Sequence, residues 1–358
     1  MAALDELLQY LTEKRGSDLH VKAGSPPFVR VNGNLEATTF PALPPAEIEA
    51  IATTILPAAK AAEFAKRGEI DVAHSVAGLG RFRVNVYRQR GSVGLVFRRV
   101  AVGVPALTEL GLPPAAEQLS AETSGLSVVA GPAGSGKTTT VAAMLDAINR
   151  SRAAHILTIE DPIEYLHADQ QSIVSQREVG TDTRGVADAT RRAARQDPDV
   201  IFVGELDDVA TVAEVLAAAT TGHLVITTMP TTTAAETVAR RVDFFPPHQH
   251  RQARHSLGSA LRGIVAQRLL ERSDGGGRVP AVEMLISTGK VFDAIVEGDD
   301  EMLEQLLTEG QYHGMQTFDQ SLFPLHRSHQ ISLRDALRAA ARPEDLRIAF
   351  TQAGLQAV

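Results

Sequence analysis

The chain has no cysteine and no tryptophan among its 358 residues. The first absence excludes disulfides, thiol catalysis and cysteine-ligated zinc, and makes the cytosol the simplest compartment. Aromatic residues are only 4% of the sequence, so platforms on which nucleobases stack are scarce. A formal net charge of −8 offers no general attraction to nucleic acid, whose binding needs a basic stripe that releases counterions. No apolar run approaches the ~20 residues of a membrane span, and the N-terminus does not read as a signal peptide. What remains, 44% hydrophobic and 22% charged, is an ordinary soluble globular composition with room for two domains.

One segment carries more information than any other. Ser127-Val128-Val129-Ala130 is a short, largely apolar run with two β-branched residues leading into Gly131-Pro132-Ala133-Gly134-Ser135-Gly136-Lys137-Thr138, with Thr139-Thr140 and the helix-forming Val141-Ala142-Ala143-Met144-Leu145 behind it. This is the strand, glycine-rich loop and helix of a phosphate-binding P-loop. Glycines let backbone N–H groups turn inward around a phosphate, and the helix N-terminus adds its positive dipole end. Residues 131–139 are therefore the expected nucleotide contacts, with Lys137 reaching the β- and γ-phosphates and the Thr138 hydroxyl a ligand for Mg²⁺. The expected cofactors are ATP and Mg²⁺.

Residues 3–15 carry Leu4, Leu7, Leu8 and Leu11 at helical spacing. Strand-like segments follow at 19–21, 28–31, 70–74, 81–88 and 93–99, with a turn at Asn32-Gly33, another at Gln89-Arg90-Gly91 and a helix near 45–56. Residues 1–100 thus read as a small α+β domain on an antiparallel sheet, residues 101–115 as a Pro- and Gly-bearing linker, and 116–358 as a second domain. Strands expected at 126–130, 155–160, 200–204 and 223–228 alternate with helices, which argues a parallel sheet with its ligand at the carboxyl ends. Beyond 248 the pattern reads as largely helical, apart from a strand at 279–286.

Three groups of residues bear chemistry. The strand His155–Ile159 runs into Glu160-Asp161-Pro162-Ile163-Glu164, three carboxylates at one strand tip that suit Mg²⁺ and a polarised water, or else form a solvated acidic loop. The apolar Val200-Ile201-Phe202-Val203-Gly204 closes on Glu205, which fits the second nucleotide motif (Walker B) and makes Glu205, with Thr138, a candidate metal ligand. His223 opens the next strand; it reaches phosphate only if the preceding loop folds over the site, and is otherwise a packed or surface histidine. Arg81, Arg83, Arg98 and Arg99 crowd the last strands of the first domain. On a monomer they are solvated strand residues, whereas in a ring they face a neighbour's triphosphate.

These residues, with Ser17-Asp18-Leu19-His20, Pro27–Gly33, Gln176-Arg177-Glu178-Val179-Gly180, Asp197-Pro198-Asp199-Val200 and Gly314-Met315-Gln316-Thr317-Phe318-Asp319, resemble the type IV pilus retraction motors (PilT-type) of the secretion ATPase superfamily nearly end to end. The resemblance implies a PAS-like N-terminal domain, a RecA-like P-loop ATPase domain and a homo-hexamer with ATP at subunit interfaces. It implies Glu164 as the group that activates water, Glu205 as the Walker B acid, His223 as the first histidine of the His box, and Glu160 within the family's Asp box. Arg83 and Arg98 become the arginines offered to a neighbour's nucleotide. The implied partner is a pilus inner-membrane platform protein, the location cytoplasmic at the inner face of the membrane, and nucleic acid is not expected.

The chain also departs from that pattern. Members read Gly-Glu-Met-Arg-Asp at Walker B, where this chain has Gly204-Glu205-Leu206-Asp207-Asp208. The second His-box histidine, within Thr-Leu-His-Thr, is replaced in Thr228-Met229-Pro230-Thr231. The retraction helix Ala-Ile-Arg-Asn-Leu-Ile-Arg-Glu becomes Lys290-Val291-Phe292-Asp293-Ala294-Ile295-Val296-Glu297, losing both arginines. The cysteine-bearing metal loop of some assembly motors is absent too. An ATP-driven motor for pilus retraction and twitching motility is one expectation; a weakly hydrolysing regulatory subunit working with an active paralogue is the other.

Overall fold

The computed structural model describes residues 2–31 and 34–355; the expected turn at Asn32-Gly33 lies outside the described residues. The chain divides into two compact units. One holds the described residues up to Val102 together with Glu164–Leu166, and the other holds Gly103–Ile163 and the described residues from His167 onward.

The first unit is built on an antiparallel sheet of β1 (Asp18–Lys22), β2 (Phe28–Val31), β3 (Asn34–Ala37), β4 (Glu69–Val76), β5 (Gly80–Gln89) and β6 (Ser92–Arg99), in the order β3-β2-β1-β6-β5-β4. The helices α1 (Ala2–Glu13), α2 (Pro45–Ile55) and α3 (Ala58–Arg67) complete it. Leu4, Leu7, Leu8 and Leu11 are buried in one cluster with Leu19, Phe82, Val84, Val86, Leu95 and Phe97, so the two periodicities, 3.6 on α1 and 2 on the strands, meet in one core. A short parallel ladder joins β7 (Ala101–Val102) to β10 (Tyr165–Leu166).

The second unit contains α4 (Ala115–Ala121), β8 (Gly125–Ala130), α5 (Lys137–Ser151), β9 (His155–Glu160), β11 (Ile173–Glu178), α6 (Val186–Ala193), β12 (Val200–Glu205), α7 (Val209–Thr220), β13 (Leu224–Met229), α8 (Ala234–Asp243) and α9 (His250–Ala260). β14 (Leu261–Glu271), β15 (Arg278–Ile286), α10 (Gly289–Glu297), α11 (Asp300–Glu309), α12 (Phe318–Arg327), α13 (Leu333–Ala339) and α14 (Pro343–Gln352) complete it. Its sheet runs β11-β9-β12-β13-β8-β14-β15, parallel throughout except for the edge pair β14–β15. The four expected strands are present and parallel. β8 and β13 are buried along their whole length, as strands covered on both faces must be.

Residues 261–271 correct the helical reading of the segment after 248. Leu, Arg, Gln and Glu are good helix formers, yet β14 pairs along β8 on one side and β15 on the other, and burial between two partners overrides that propensity. Gly263 allows the close approach, since a Cβ there would lie 2.7 Å from the Leu285 carbonyl oxygen. Among the described residues no helix is long and apolar enough to cross a membrane.

Candidate nucleotide-binding site

β8 ends at Ala130 and α5 begins at Lys137, so residues 131–136 form the loop between them. Gly134 and Gly136 hold φ of 77° and 90°, backbone that residues with a Cβ adopt at a cost. Gly131 is excluded from substitution by space, because a Cβ there would sit 2.4 Å from Ser135 Oγ and 2.5 Å from the Gln267 carbonyl oxygen. Lys137 folds back over the loop and donates from Nζ to the carbonyl oxygens of Gly131 at 2.7 Å and Pro132 at 3.2 Å. Among the described residues the buried Ser135 Oγ has no hydrogen-bond partner. Thr138 and Thr139, half-buried, lie in the first turn of α5, whose cap position is a glycine without a side chain to satisfy the turn. A tight loop, an ammonium held across it and an open helix N-terminus fit a polyphosphate.

Two residues from the β14–β15 pair hold this loop, and the sequence reading missed both. Gln267 donates from Nε2 to the Ser135 carbonyl at 2.6 Å and accepts from Thr140 Oγ1 at 2.8 Å. Arg278 donates to the Gly134 carbonyl at 3.4 Å. No local signal marks them, because they belong to strands more than a hundred residues downstream.

The acidic residues at the end of β9 differ in their surroundings. Glu160 is buried and accepts from Thr158 Oγ1 at 2.7 Å and Gln176 Nε2 at 3.1 Å. Glu164 is exposed and belongs to the first unit. Glu178, buried at the end of β11, accepts the Ile163 backbone N–H at 3.1 Å and so anchors the loop that leads to Glu164. β12 lies beside β9, and its last residue, Glu205, is exposed. One strand, β13, separates β12 from the P-loop strand.

His223 precedes β13 and its backbone oxygen accepts from Gly125 N, at the start of β8. The P-loop follows the far end of these parallel strands, about 20 Å away at strand rise. His223 Nδ1 lies 3.1 Å from the Ala218 carbonyl at the end of α7. The structure therefore does not bring His223 to the phosphate end of its own chain. Arg83 and Arg98 are directly opposed on β5 and β6. Arg98 Nε donates to Asp18 Oδ1 at 2.8 Å. Burial raises the Asp18 carboxyl, but hydrogen bonds from Arg98 and Ser17 outweigh it and hold the group below the usual carboxylate range.

The family model for the type II/IV secretion system protein matches residues 92–301. The type IV pilus ATPase PilU of Pseudomonas aeruginosa is 39% identical, across 96% of this chain and 90% of its own. The type IV pilus retraction ATPase PilT of the same organism is 40% identical, across 96% of this chain and 99% of its own. A crystal structure of the pilus retraction motor PilT with bound ADP matches at a TM-score of 0.88 and 43% identity, covering 96% of this chain and 98% of that one. This chain belongs to the PilT/PilU-type pilus ATPases.

As a P-loop ATPase of that family, the chain departs from the family pattern at positions the structure now locates. Pro230, where the pattern has histidine, is exposed just beyond β13. The preceding Met229 carbonyl accepts from Gly131 N at 3.1 Å, so the lost histidine belongs to the phosphate end of the sheet. Asp207, in place of arginine, is exposed. Asp208 caps α7, accepting from Thr211 N at 2.9 Å and Thr211 Oγ1 at 2.7 Å. In α10, Val291, Ala294 and Ile295 are buried while Lys290, Asp293 and Glu297 are exposed. The two lost arginines fall at Phe292 and Val296, which are half-buried, and Phe292 packs edge-on against His255 with ring centroids 5.7 Å apart.

Proposed function

We propose that this chain is an ATP-hydrolysing motor subunit of a type IV pilus machine, acting in retraction and twitching motility. The observation that carries this reading is Lys137 Nζ held 2.7 Å from the Gly131 carbonyl across a glycine cradle, in a chain similar to PilT over nearly its full length. Backbone N–H groups of Gly131 and residues 133–139, Pro132 having none to donate, and the Lys137 ammonium hold the phosphates. Thr138 and Glu205 are the groups that would hold Mg²⁺, which when bound neutralises charge on the β- and γ-phosphate oxygens. Glu164 takes a proton from the attacking water. The water oxygen bonds to the γ-phosphorus as the bond to the ADP oxygen breaks. In a homo-hexamer, Arg83 and Arg98 reach a neighbour's triphosphate, so interface closure follows binding and opening follows hydrolysis. Arg98 would exchange its Asp18 partner for phosphate in that step. The work is delivered at the cytoplasmic face of the membrane to a pilus platform protein.

A second reading is supported by Pro230 and Asp207. It makes the chain a nucleotide-binding subunit of low turnover that works beside an active paralogue, and the likeness to PilU as well as PilT is compatible with it. Steady-state Mg²⁺-ATP hydrolysis by the purified chain, with Glu164→Gln as blank and oligomeric mass recorded, separates the two. Turnover by a hexamer that the blank lacks supports the motor. Tight binding with turnover equal to the blank, restored by Pro230→His, supports the accessory subunit.

A further inference from the structure

A P-loop binds phosphate only when its N–H groups point inward, which turns its carbonyls outward into the protein. A buried carbonyl needs a donor. For Ser135 that donor is Gln267 Nε2 at 2.6 Å. The other end of the same carboxamide is held by the Thr140 hydroxyl at 2.8 Å, which sets which end faces Ser135. Gln267 and Thr140 are each 2% exposed, so water does not substitute for either partner.

The contact also explains both glycines that open and close the loop. A Cβ on Gly136 would lie 3.0 Å from Gln267 Nε2, and one on Gly131 would lie 2.5 Å from the Gln267 backbone oxygen. One residue of β14 therefore rests against the first and last glycines of the signature and bonds the carbonyl between them. We propose that Gln267 is a positioning residue for nucleotide: its carboxamide holds the P-loop in the form that receives phosphate, and ATP affinity depends on it. The proposal rests on the reading of this loop as the nucleotide site.

The test is titration of full-length protein with a fluorescent ATP analogue, with thermal unfolding in the absence of nucleotide measured in parallel. Gln267→Met keeps the volume and removes both bonds; it weakens binding about tenfold. Gln267→Glu keeps the acceptor for Thr140 but turns an oxygen toward the Ser135 carbonyl, and weakens binding further than Gln267→Met. Thr140→Val releases the carboxamide, and combined with Gln267→Met it adds little, since both remove the same device. Wild-type affinity in Gln267→Met, full additivity of the pair, or losses that merely follow the fall in unfolding temperature would each overturn the proposal. Should Gln267→Met not fold, Thr140→Val and Gln267→Glu decide by the same criteria. A wild-type chain that binds no analogue would defeat the nucleotide reading itself, a failure distinguishable from wild-type binding with insensitive variants.

Discussion

Arg241 of α8 directs its Nε–H at the Met229 sulfur, 3.3 Å away, inside the second unit. The side chain is 1% exposed, and among the described residues neither of its buried Nη atoms has a hydrogen-bond partner. Burial pulls the guanidinium down to about 9, well below its ordinary value. An unpaired buried cation is a cost to the fold. Arg241→Met is therefore expected to stabilise the protein at pH 7 by about 1–4 kcal/mol. The folded state releases its proton at lower pH than the unfolded state, so the wild type gains stability as pH rises above about 9 and the gap to the variant narrows there. Unfolding midpoints at pH 7 and pH 10 check this; a less stable variant at pH 7 would refute it.

Lys137→Ala removes a charge-assisted contact to phosphate and is expected to cost about 1.5–3 kcal/mol of ATP affinity. Isothermal titration with a non-hydrolysable analogue measures it. Undiminished binding would show that the loop from Gly131 to Gly136 is not the phosphate site.

Glu178→Ala removes the acceptor for the Ile163 N–H and frees the loop that leads to Glu164. The expected result is a fall in kcat of about 10²-fold, because small misplacements of a reacting group cost that much, with nucleotide affinity nearly unchanged. Equal losses in kcat and affinity would instead mean that Glu178 supports the whole site.

Arg98→Met leaves the buried Asp18 carboxylate short of its principal partner. The exposed position of the guanidinium discounts the effect to about 1–2 kcal/mol at pH 7. Asp18 has a folded value below the unfolded one, so its contribution is present above the unfolded pKa of about 3.9 and is lost as pH falls through the folded value. The difference between wild type and variant should therefore shrink between pH 5 and pH 3. A difference that stays constant over that range would assign the effect to packing rather than to the ion pair.

Much of this molecule was legible in local patterns. Leu4, Leu7, Leu8 and Leu11 announce α1 by their spacing, and the largely apolar run before Gly131 announces β8. Lys137 and Thr138 are marked by the signature that contains them, and the alternation of strands and helices after Gly125 announces a parallel sheet. β14 was illegible because its side chains favour helix and only its two neighbours make it a strand. Glu160 and Glu164 looked equivalent in sequence, since four intervening steps of chain do not reveal that one carboxylate is buried on Thr158 and Gln176 while the other joins a different unit.

By itself, then, the sequence determined the elements and the chemistry of the phosphate loop. These follow from interactions within a few residues: glycine backbone freedom, side-chain periodicity and the dipole of the helix that begins at Lys137. Tertiary structure alone decided what holds that loop in place. Gln267 meets Ser135 across 132 residues of chain, and Arg241 is stripped of water by elements packed around α8. Such contacts depend on which strands become neighbours, and that outcome is a property of the whole sheet rather than of any segment in it.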